Sequence, residues 1–283
     1  MVIDKCREKS RYNTMLLEQC LKREGVSVPV MLYGELTSTN LTAKEAAKQG
    51  AVHGTAVLAD SQNSGRGRLG RSFFSPPGRG IYLSVVLRIP TDETSLLRLT
   101  TAVCTAVCLA VERVCGLRAD IKWVNDVYLH GRKVCGILCE GVLGADQTIS
   151  SVIAGIGINY TAGPDDFPPE LREKAGALYM ESKDSAQSIP SASREALAAA
   201  LLREVLFQAE HISDGSYLEE YRKRSLLPGR KIYFTDPQTG NIPASAIGID
   251  DLGGLIVRLE DGTVKALHSG EVTVRFESNE EKR

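Results

Sequence analysis

The sequence predicts a mixed α+β domain followed by a small all-β domain. In the first half of the chain, strand-like runs outnumber helical ones and are joined by short turns such as His130-Gly131. This pattern favours a mixed sheet with flanking helices over a doubly wound parallel sheet. After a break at Leu227-Pro228-Gly229, short strand-like runs alternate with turns rich in Asp, Gly and Pro, a pattern typical of small β-barrels.

The main domain is predicted to span residues 31–225, after an N-terminal extension (1–30) with one helical pattern at 12–24. Alternation and β-branched content predict its strands, in chain order, at 31–36, 55–60, 81–87, 119–129, 133–142 and 149–160. Length, Ala/Leu content and glycine stops predict its helices. The first is capped by Ser38 or Thr39 and runs through 43–49, and the others lie at 93–115, 194–211 and 217–225.

The all-β domain is predicted to span residues 226–278 and to leave a charged tail at 279–283. Its five strands are expected between turn signals, at 231–235, 242–249, 255–259, 263–267 and 272–276.

The charge balance argues against a polyanionic partner. The 283 residues carry 34 basic and 35 acidic side chains, for a net charge of −1. Broad attraction to DNA or to an anionic membrane is therefore not expected. The N-terminus shows no apolar signal segment, and no run of about 18 apolar residues predicts a membrane span. We expect a cytoplasmic protein.

The seven cysteines support the same compartment, because an odd number without a signal segment indicates reduced thiols. Cys104 and Cys108 are spaced to share a helix face, and Cys135 and Cys139 are spaced to share a strand face. No nearby histidine completes a zinc pattern. We interpret these cysteines as small buried side chains.

The most informative segment is the heptapeptide 65–71, Gly-Arg-Gly-Arg-Leu-Gly-Arg. Its glycines allow the backbone to approach a ligand closely, and its arginines are planar donors suited to phosphate and carboxylate. By itself the segment is equally consistent with an Arg-Gly stretch that binds nucleic acid. Its position between two strand-like runs, together with the low net charge, favours a loop that binds a small anion.

Three other segments place polar or small residues at unusual points. Ser38-Thr39-Asn40 begins a predicted helix, where it could cap the helix or present free N–H groups to a ligand. Lys122 and Asp126 interrupt an apolar strand, so that either Asp126 or a bound anion neutralises the lysine. The glycines of 155–159, Gly-Ile-Gly-Ile-Asn, indicate close approach of another group, or a bulge.

These motifs, in this order, resemble those of the bacterial biotin–protein ligases. The resemblance rests on five separated motifs and covers roughly residues 31–277, so it is far more specific than any single motif. The motifs are Ser38-Thr39-Asn40, Gln62 with the heptapeptide, Lys-Trp-x-Asn-Asp at 122–126, Gly-Ile-Leu-x-Glu at 136–140, and Gly-Ile-Gly-Ile-Asn at 155–159. Leu-Pro-Gly-Arg and Ser269-Gly270-Glu271-Val272 resemble the SH3-like C-terminal domain of that family.

The resemblance implies a class II synthetase-like catalytic domain and a two-step reaction. Biotin and MgATP would form biotinyl-5′-AMP, and a lysine of a biotin carboxyl carrier domain, usually that of acetyl-CoA carboxylase, would then take the biotinyl group. Lys122, Arg66 and Arg68 would be catalytic.

The same resemblance assigns the binding residues. Ser38, Thr39 and Gln62 would bind the ureido ring, and Asn40 and Asn159 would serve the adenylate end. Gly67 would let the loop close, Gly136 would line the site, Gly65 and Arg71 would belong to the phosphate loop, and Asp126 would help to hold Mg²⁺.

Two positions depart from the family pattern. Val124 stands where proline is frequent, and Phe73 stands where tryptophan is frequent; neither change removes a charged group. Some members carry an N-terminal winged helix, which residues 1–30 are too short to form. We therefore expect a ligase that does not bind DNA.

Two alternatives remain at the level of sequence. One is a non-enzymatic sensor or corepressor of biotinyl adenylate. The other is a lipoate or octanoate transferase of the same fold, a class that lacks the Gly-Arg-Gly-Arg segment. The sequence leaves the oligomeric state open, although edge strands could pair two copies into a homodimer.

Overall fold

The computed structural model describes residues 2–4, 10–89, 94–144, 146–163, 165–181, 192–236, 238–270 and 272–274. The predictions that concern Cys6, Glu271 and the tail at 279–283 lie outside these residues. The helices are α1 (Thr14–Arg23), α2 (Thr39–Lys48), α3 (Ser95–Cys115), α4 (Arg194–Glu210) and α5 (Tyr217–Arg224).

Fifteen strands are present in the described part of the chain. Ten precede α4: β1 (Val2–Asp4), β2 (Val30–Leu36), β3 (Ala56–Gln62), β4 (Gly80–Leu87), β5 (Asp120–Lys122), β6 (Asp126–Leu129), β7 (Arg132–Leu143), β8 (Ile149–Asn159), β9 (Thr161–Ala162) and β10 (Tyr179–Met180). Five follow α5: β11 (Lys231–Asp236), β12 (Gly240–Ile249), β13 (Leu255–Leu259), β14 (Val264–Leu267) and β15 (Val272–Val274).

The main sheet is mixed, as predicted. Its eight strands lie in the order β1-β2-β3-β4-β8-β7-β6-β5. β1, β2 and β3 run parallel, and every later neighbour is antiparallel. The long β7–β8 pair places the motifs at 136–140 and 155–159 side by side, with Gly136 opposite Gly157 and Leu138 opposite Gly155.

The predicted single strand at 119–129 is wrong, because the structure divides it into β5 and β6. These strands form a tight antiparallel hairpin in which Lys122 is opposite Asp126. The intervening residues form a turn that includes a cis peptide bond between Trp123 and Val124. An apolar run that reads as one strand therefore reverses direction, which places the lysine and the aspartate on adjacent strands.

The N-terminal residues add more than the one helix that the sequence indicates. β1 extends the main sheet as its edge strand next to β2. Helix α1 begins at the N-cap Asn13, whose side chain accepts a hydrogen bond from the N–H of Leu16. The backbone N–H of Asn13 also donates to Glu195 of α4 at 2.8 Å, so that this segment is fastened to the helical layer.

Helix α3 forms the centre of the core. It is long and apolar enough to cross a membrane by length and composition alone, but most of it is buried inside the protein. It ends at Gly116, whose φ of 68° is the left-handed conformation of a helix C-cap. Its burial between the sheet and the other helices explains its apolar composition.

The C-terminal domain is a five-stranded antiparallel sheet, as predicted, in the order β14-β13-β12-β11-β15. It contacts the main domain through a buried tryptophan: the indole N–H of Trp123 donates to the backbone oxygen of Gly253 at 2.9 Å. Trp123 is buried. The turn between β5 and β6 therefore lies against the C-terminal domain.

The cysteines of the described residues are all free thiols, and Cys104, Cys108 and Cys135 are buried as predicted, whereas Cys139 is only partly buried. Burial raises the pKa of Cys104 and Cys135 well above the usual thiol value, and raises that of Cys139 to about 12. These side chains are protonated and unreactive at neutral pH.

Candidate active site

A cavity of about 510 Å³ lies on the main sheet where α2 begins and the heptapeptide loop crosses the strands. It brings together nearly all of the motifs that the sequence singled out. The predicted site residues that line it are Ser38, Thr39, Asn40, Gln62, Arg66, Gly67, Arg68, Arg71, Lys122, Asp126 and Gly136.

The heptapeptide loop is a short hairpin rather than an open coil. Arg66 is bridged to Ser72, and the N–H of Gly67 donates to the carbonyl of Arg71 at 2.7 Å. The tip is a 3₁₀ turn in which Leu69 adopts φ 55°, and the Leu69 side chain is 70% exposed. The loop therefore has backbone order but little apolar burial at its tip.

Gly65 starts the loop and does not line the cavity. A Cβ atom at this position would lie 2.4 Å from the carbonyl oxygen of Phe73 and 2.7 Å from Oγ of Ser75. Only glycine permits this approach, which the N–H of Phe73 closes with a 2.8 Å hydrogen bond to Gly65. Gly65 thus fixes where the loop leaves the sheet.

Helix α2 points its N-terminus at the cavity. Ser38 occupies the N-cap position, but its side chain makes no capping hydrogen bond. The next two residues bind other side chains: the N–H of Thr39 donates to Oε1 of Gln62 at 2.8 Å, and Nδ2 of Asn40 donates to Oε2 of Glu140 at 2.8 Å. Capping alone does not account for the Ser-Thr-Asn motif.

Glu140 anchors this side of the cavity. Its carboxylate accepts from Nζ of Lys44 at 2.6 Å and from Asn40, and it lies 3.5 Å from Nη2 of Arg66. Burial raises the pKa of Glu140, but hydrogen bonds from Lys44 and Asn40 and the charges of Lys44 and Arg66 outweigh it, so the pKa lies below the usual 4.5. Glu140 is ionised at neutral pH and holds Arg66 near the cavity.

The glycines of strands β7 and β8 make room for two side chains. A Cβ atom on Gly155 would lie 1.9 Å from Oδ1 of Asn40, and one on Gly157 would lie 2.5 Å from the ring of Phe73. The Phe73 ring also lies 3.3 Å from the Cβ position of Gly136. The close approach that the sequence indicates at 155–159 is therefore realised by Asn40 and Phe73.

Lys122 and Asp126 lie opposite each other at the end of the β5–β6 hairpin. Nζ of Lys122 is 6.0 Å from the centre of the Tyr128 ring. Oδ1 of Asp126 is 2.6 Å from Nζ of Lys133, a close ion pair without hydrogen-bond alignment. Burial raises the pKa of Tyr128 to about 12, so that it is a neutral wall of the cavity.

The cavity holds few metal ligands. Among the described residues, no group of three or more His, Cys, Asp or Glu side chains could hold a metal ion. Asp126 is the one carboxylate among the described residues that line the cavity, and it is already paired with Lys133. This donor set suits an ion that is held mainly by phosphate oxygens and water, as Mg²⁺ usually is.

Arg68 connects the loop to both domains. Its Nη1 donates to Oδ1 of Asn125 at 3.1 Å, and its Nη2 donates to the backbone oxygen of Gly270 at 3.4 Å. Asn125 is itself held by the backbone of Ile137, with its Nδ2 donating at 2.8 Å. The C-terminal domain therefore contributes Gly270, Val272 and Thr273 to the cavity wall.

One predicted binding residue lies elsewhere. Asn159 does not line the cavity, and its Nδ2 donates to the backbone oxygen of Gly176 at 2.8 Å. In the described structure it fastens the end of β8 to the segment that follows Leu171. The preceding glycines, and not this asparagine, face the cavity.

The sequence motifs did not single out Ser84, although it is central to the site. Ser84 is fully buried on β4, and its Oγ lies 2.8 Å from Oγ1 of Thr39 and 2.6 Å from Oδ1 of Asn40. A polar residue within the apolar run Ile81–Leu87 was the available signal. Lys133 and Lys174, which line the cavity, carried no comparable signal.

Comparisons with known proteins show the family to which this chain belongs. Residues 33–159 match the family described as biotin/lipoate A/B protein ligase, and residues 229–275 match the biotin protein ligase C-terminal domain. The bifunctional ligase/repressor BirA of Bacillus subtilis is 33% identical over 266 residues, which cover 89% of this chain and 76% of that protein.

Two further comparisons extend the match. The biotin--[acetyl-CoA-carboxylase] ligase of Mycobacterium tuberculosis is 29% identical over 235 residues, covering 80% of this chain and 82% of that protein. The structure of the biotin protein ligase from Aquifex aeolicus in complex with biotin and ATP aligns with a TM-score of 0.71 at 29% identity, covering 87% of this chain and 98% of that one. This chain therefore belongs to the biotin/lipoate A/B protein ligase family, within which it is a biotin protein ligase.

Proposed function

We propose that the protein activates biotin with ATP to give biotinyl-5′-AMP and pyrophosphate, and then transfers the biotinyl group to a lysine of a biotin carboxyl carrier domain. One observation carries this proposal: the heptapeptide loop with its arginines, Lys122, and the hydrogen-bonded pair Thr39 and Gln62 all line one cavity. A carboxylate, a triphosphate and a polar ring can each meet a suitable partner there.

The cationic groups answer the electrostatic problem of the first step. Biotin carboxylate and the α-phosphate of ATP are both anions, and charge grows on the phosphoryl oxygens as the carboxylate attacks. Lys122, Arg66 and Arg68 would offset this repulsion, and Lys122 would serve both half-reactions. Arg66 can leave Glu140 for an incoming anion because their 3.5 Å contact is long and the Arg66 side chain is 42% exposed.

The end of the cavity formed by the start of α2 suits the ureido ring of biotin. Ser38, Thr39 and Gln62 offer hydroxyl and amide groups at the N-terminus of α2, where backbone N–H groups also converge. Gly67 would allow the loop to close over the acyl phosphate, and Gly65 and Arg71 would set its two ends. The resemblance assigns Asn40 to the adenylate end, but its hydrogen bonds to Glu140 and Ser84 lie beside Thr39, so we propose that it holds the ureido end of the cavity in shape. The contact of Asn159 with adenine stays a proposal: its Nδ2 donates to the backbone oxygen of Gly176, so Oδ1 is the atom that it would offer to adenine.

Mg²⁺ is proposed to arrive with ATP. When bound, it would neutralise phosphate charge, and Asp126 is the carboxylate in place to contribute an oxygen. The ion pair with Lys133 holds the Asp126 carboxylate in place at the cavity wall.

The proposed partner is the carrier domain of a biotin-dependent carboxylase such as acetyl-CoA carboxylase, and the proposed compartment is the cytoplasm, which suits the free thiols. Action without DNA binding is also proposed, on the basis of the net charge of −1. DNA retention at moderate salt would contradict that part. A homodimer formed through edge strands would show in light scattering.

The proposal is tested with purified protein, biotin, MgATP and an isolated carboxyl carrier domain. We expect one carrier lysine to gain a biotinyl group, detected by mass spectrometry, and pyrophosphate to be released before the transfer. An unchanged carrier mass would overturn the transferase role, and octanoate or lipoate transfer in place of biotin would support the alternative within the same fold.

A further inference from the structure

The direction of each hydrogen bond around Thr39 follows from the groups that can only accept. The carboxylate of Glu140 and the backbone carbonyl of Leu138 have no proton to give. Nδ2 of Asn40 lies 2.8 Å from Oε2 of Glu140 and 3.2 Å from the oxygen of Leu138. The amino group of Asn40 therefore faces these two acceptors, and its Oδ1 faces Ser84.

Ser84 has a single proton and two oxygen neighbours. Its Oγ lies 2.6 Å from Oδ1 of Asn40 and 2.8 Å from Oγ1 of Thr39. Since Oδ1 carries no proton, the short contact to Asn40 requires the proton of Ser84. The hydrogen bond between Ser84 and Thr39 must then use the proton of Thr39.

The other side of Thr39 is fixed in the same way. Oγ of Ser75 lies 2.9 Å from the carbonyl oxygen of Phe73, to which it must donate, so that it can only accept from Nε2 of Gln62 at 2.9 Å. This orients Oε1 of Gln62 toward Thr39, where it accepts the backbone N–H at 2.8 Å and lies 3.1 Å from the hydroxyl. Neither neighbour of the Thr39 hydroxyl has a proton to offer it.

We propose that Ser84 is a positioning residue that makes the hydroxyl of Thr39 a hydrogen-bond acceptor toward the cavity. The single proton of Thr39 is shared in a three-centre bond between Oγ of Ser84 at 2.8 Å and Oε1 of Gln62 at 3.1 Å. The lone pairs of Thr39 are therefore what the hydroxyl offers a ligand. A ligand group at this point must donate, as a ureido ring N–H does. The inference rests on the proposed function and concerns which ring the cavity selects.

Ser84 can act only through Thr39 and Asn40. It is fully buried on β4 and is not among the described residues that line the cavity. A cyclic carbamate analogue of biotin, in which one ureido N–H is replaced by oxygen, would place a lone pair against Thr39. The wild-type protein should reject the carbamate that faces Thr39 by roughly 10- to 100-fold, because an acceptor would meet an acceptor.

The test measures dissociation constants of biotin and of both single-oxygen carbamate analogues by calorimetry, with wild-type protein and Ser84→Ala. In Ser84→Ala the hydroxyl proton of Thr39 loses its 2.8 Å neighbour and keeps only the longer 3.1 Å contact with Oε1 of Gln62. A ligand oxygen can then compete with Gln62 for this proton. We expect the ratio of carbamate to biotin dissociation constants, for the analogue that wild type rejects more, to fall about tenfold. A merely structural role would weaken both ligands and leave this ratio unchanged.

Ser61→Ala is the matched control. Ser61 is also a buried serine of the main sheet, but its hydroxyl donates to the backbone oxygen of Gly34 at 3.3 Å. We expect its selectivity ratio to equal that of wild type. If Ser84→Ala does not fold, Ser84→Cys replaces it, since a thiol is a weak donor and acceptor in the same place.

If the ratio of carbamate to biotin dissociation constants is the same in wild type and in the Ser84 variant, the inference is overturned. The proposed function still stands in that case, provided that biotin binds. A wild-type protein that binds neither biotin nor the analogues overturns both.

Discussion

Gly155 and Asn40 fit together so closely that a Cβ atom on Gly155 would lie 1.9 Å from Oδ1 of Asn40. Asn40 belongs to α2 and Gly155 to β8, so that a glycine in the sheet admits a polar side chain from the helix. Asn40 in turn holds Glu140 and Ser84. The glycine-rich strand and the Ser-Thr-Asn motif are therefore two halves of one structural feature.

Gly155→Ala should displace Asn40 and disturb the hydrogen bonds to Glu140 and Ser84. We expect biotin affinity to fall by roughly 10- to 100-fold and stability to fall by about 1–3 kcal/mol. Gly141→Ala is the control, because a Cβ there meets only the Ile149 side chain at 3.4 Å. Calorimetric titration with biotin and thermal unfolding would check this; equal affinities for the two variants would contradict it.

Lys122→Ala should abolish formation of the adenylate. The lysine is proposed to stand between the biotin carboxylate and the α-phosphate, where its loss leaves two anions unscreened; a drop in rate of at least about 10²-fold is expected. Pyrophosphate release with biotin and MgATP is the measurement. Lys22→Ala, an exposed change on α1, should keep the wild-type rate. Retained pyrophosphate release by Lys122→Ala would show that its assigned role is wrong.

Arg68→Gly should still form the adenylate but release it faster. The guanidinium bridges Asn125 and Gly270 across the two domains, so its loss frees the loop and removes a charge-assisted contact to the acyl phosphate. We expect adenylate to dissociate at least tenfold faster. The dissociation rate is measured by chasing bound, labelled adenylate with unlabelled adenylate. Arg118→Gly is the control, because this side chain is 63% exposed and lies outside the cavity; it should release adenylate at the wild-type rate. A wild-type rate for Arg68→Gly would show that Arg68 does not hold the adenylate in the site.

The heptapeptide loop should become resistant to trypsin when ligand is bound. Arg66 and Arg71 are exposed, and the loop tip buries little apolar surface, so local opening is cheap without ligand. Biotin with MgATP should slow cleavage after the loop arginines at least fivefold, because closure over the acyl phosphate excludes water and protease alike. Cleavage after the exposed Arg230 provides an internal control; identical loop cleavage with and without ligand would refute ordering.

Glu140→Gln should lower stability near neutral pH and change its pH dependence. The carboxylate binds Lys44 at 2.6 Å and Asn40 at 2.8 Å, so that losing its charge should cost about 1–3 kcal/mol. The folded-state pKa of Glu140 lies below 4.5; the stabilisation is therefore complete above the unfolded value and is lost as pH falls through the lower folded value.

Urea unfolding of wild type and Glu140→Gln from pH 7 to pH 3 measures this difference. The two stabilities should converge only as pH drops below about 4.5. A constant difference over the whole range would mean that the Glu140 charge does not carry the effect.

Local sequence patterns predicted most elements to within a few residues. A short apolar run marked β4, and length with a glycine stop marked α3, because these signals depend only on neighbouring residues. The strand predicted at 119–129 failed for the converse reason. Nothing local shows that Trp123 turns away to bind Gly253, and this contact between domains helps to hold the reversal between β5 and β6.

The candidate site divides in the same way. Charge and glycine content pointed to Arg66, Arg68 and Lys122, since such residues are unusual between buried strands. Glu140 belongs to the motif at 136–140, but the sequence assigned it no function, and Ser84 belongs to none of the motifs. Their function depends on which atoms face them across the sheet.

The sequence by itself determined the succession of a mixed domain and an all-β domain, the cationic loop, and the family to which the motifs belong. These depend on residue types and their order along the chain. Tertiary structure alone decided that Asn40 enters the space above Gly155, that Asn159 turns away from the cavity, and that Arg68 reaches the C-terminal domain at Gly270. The physical reason is that hydrogen bonds between distant segments exist only once packing has fixed the distances and directions of their donors and acceptors.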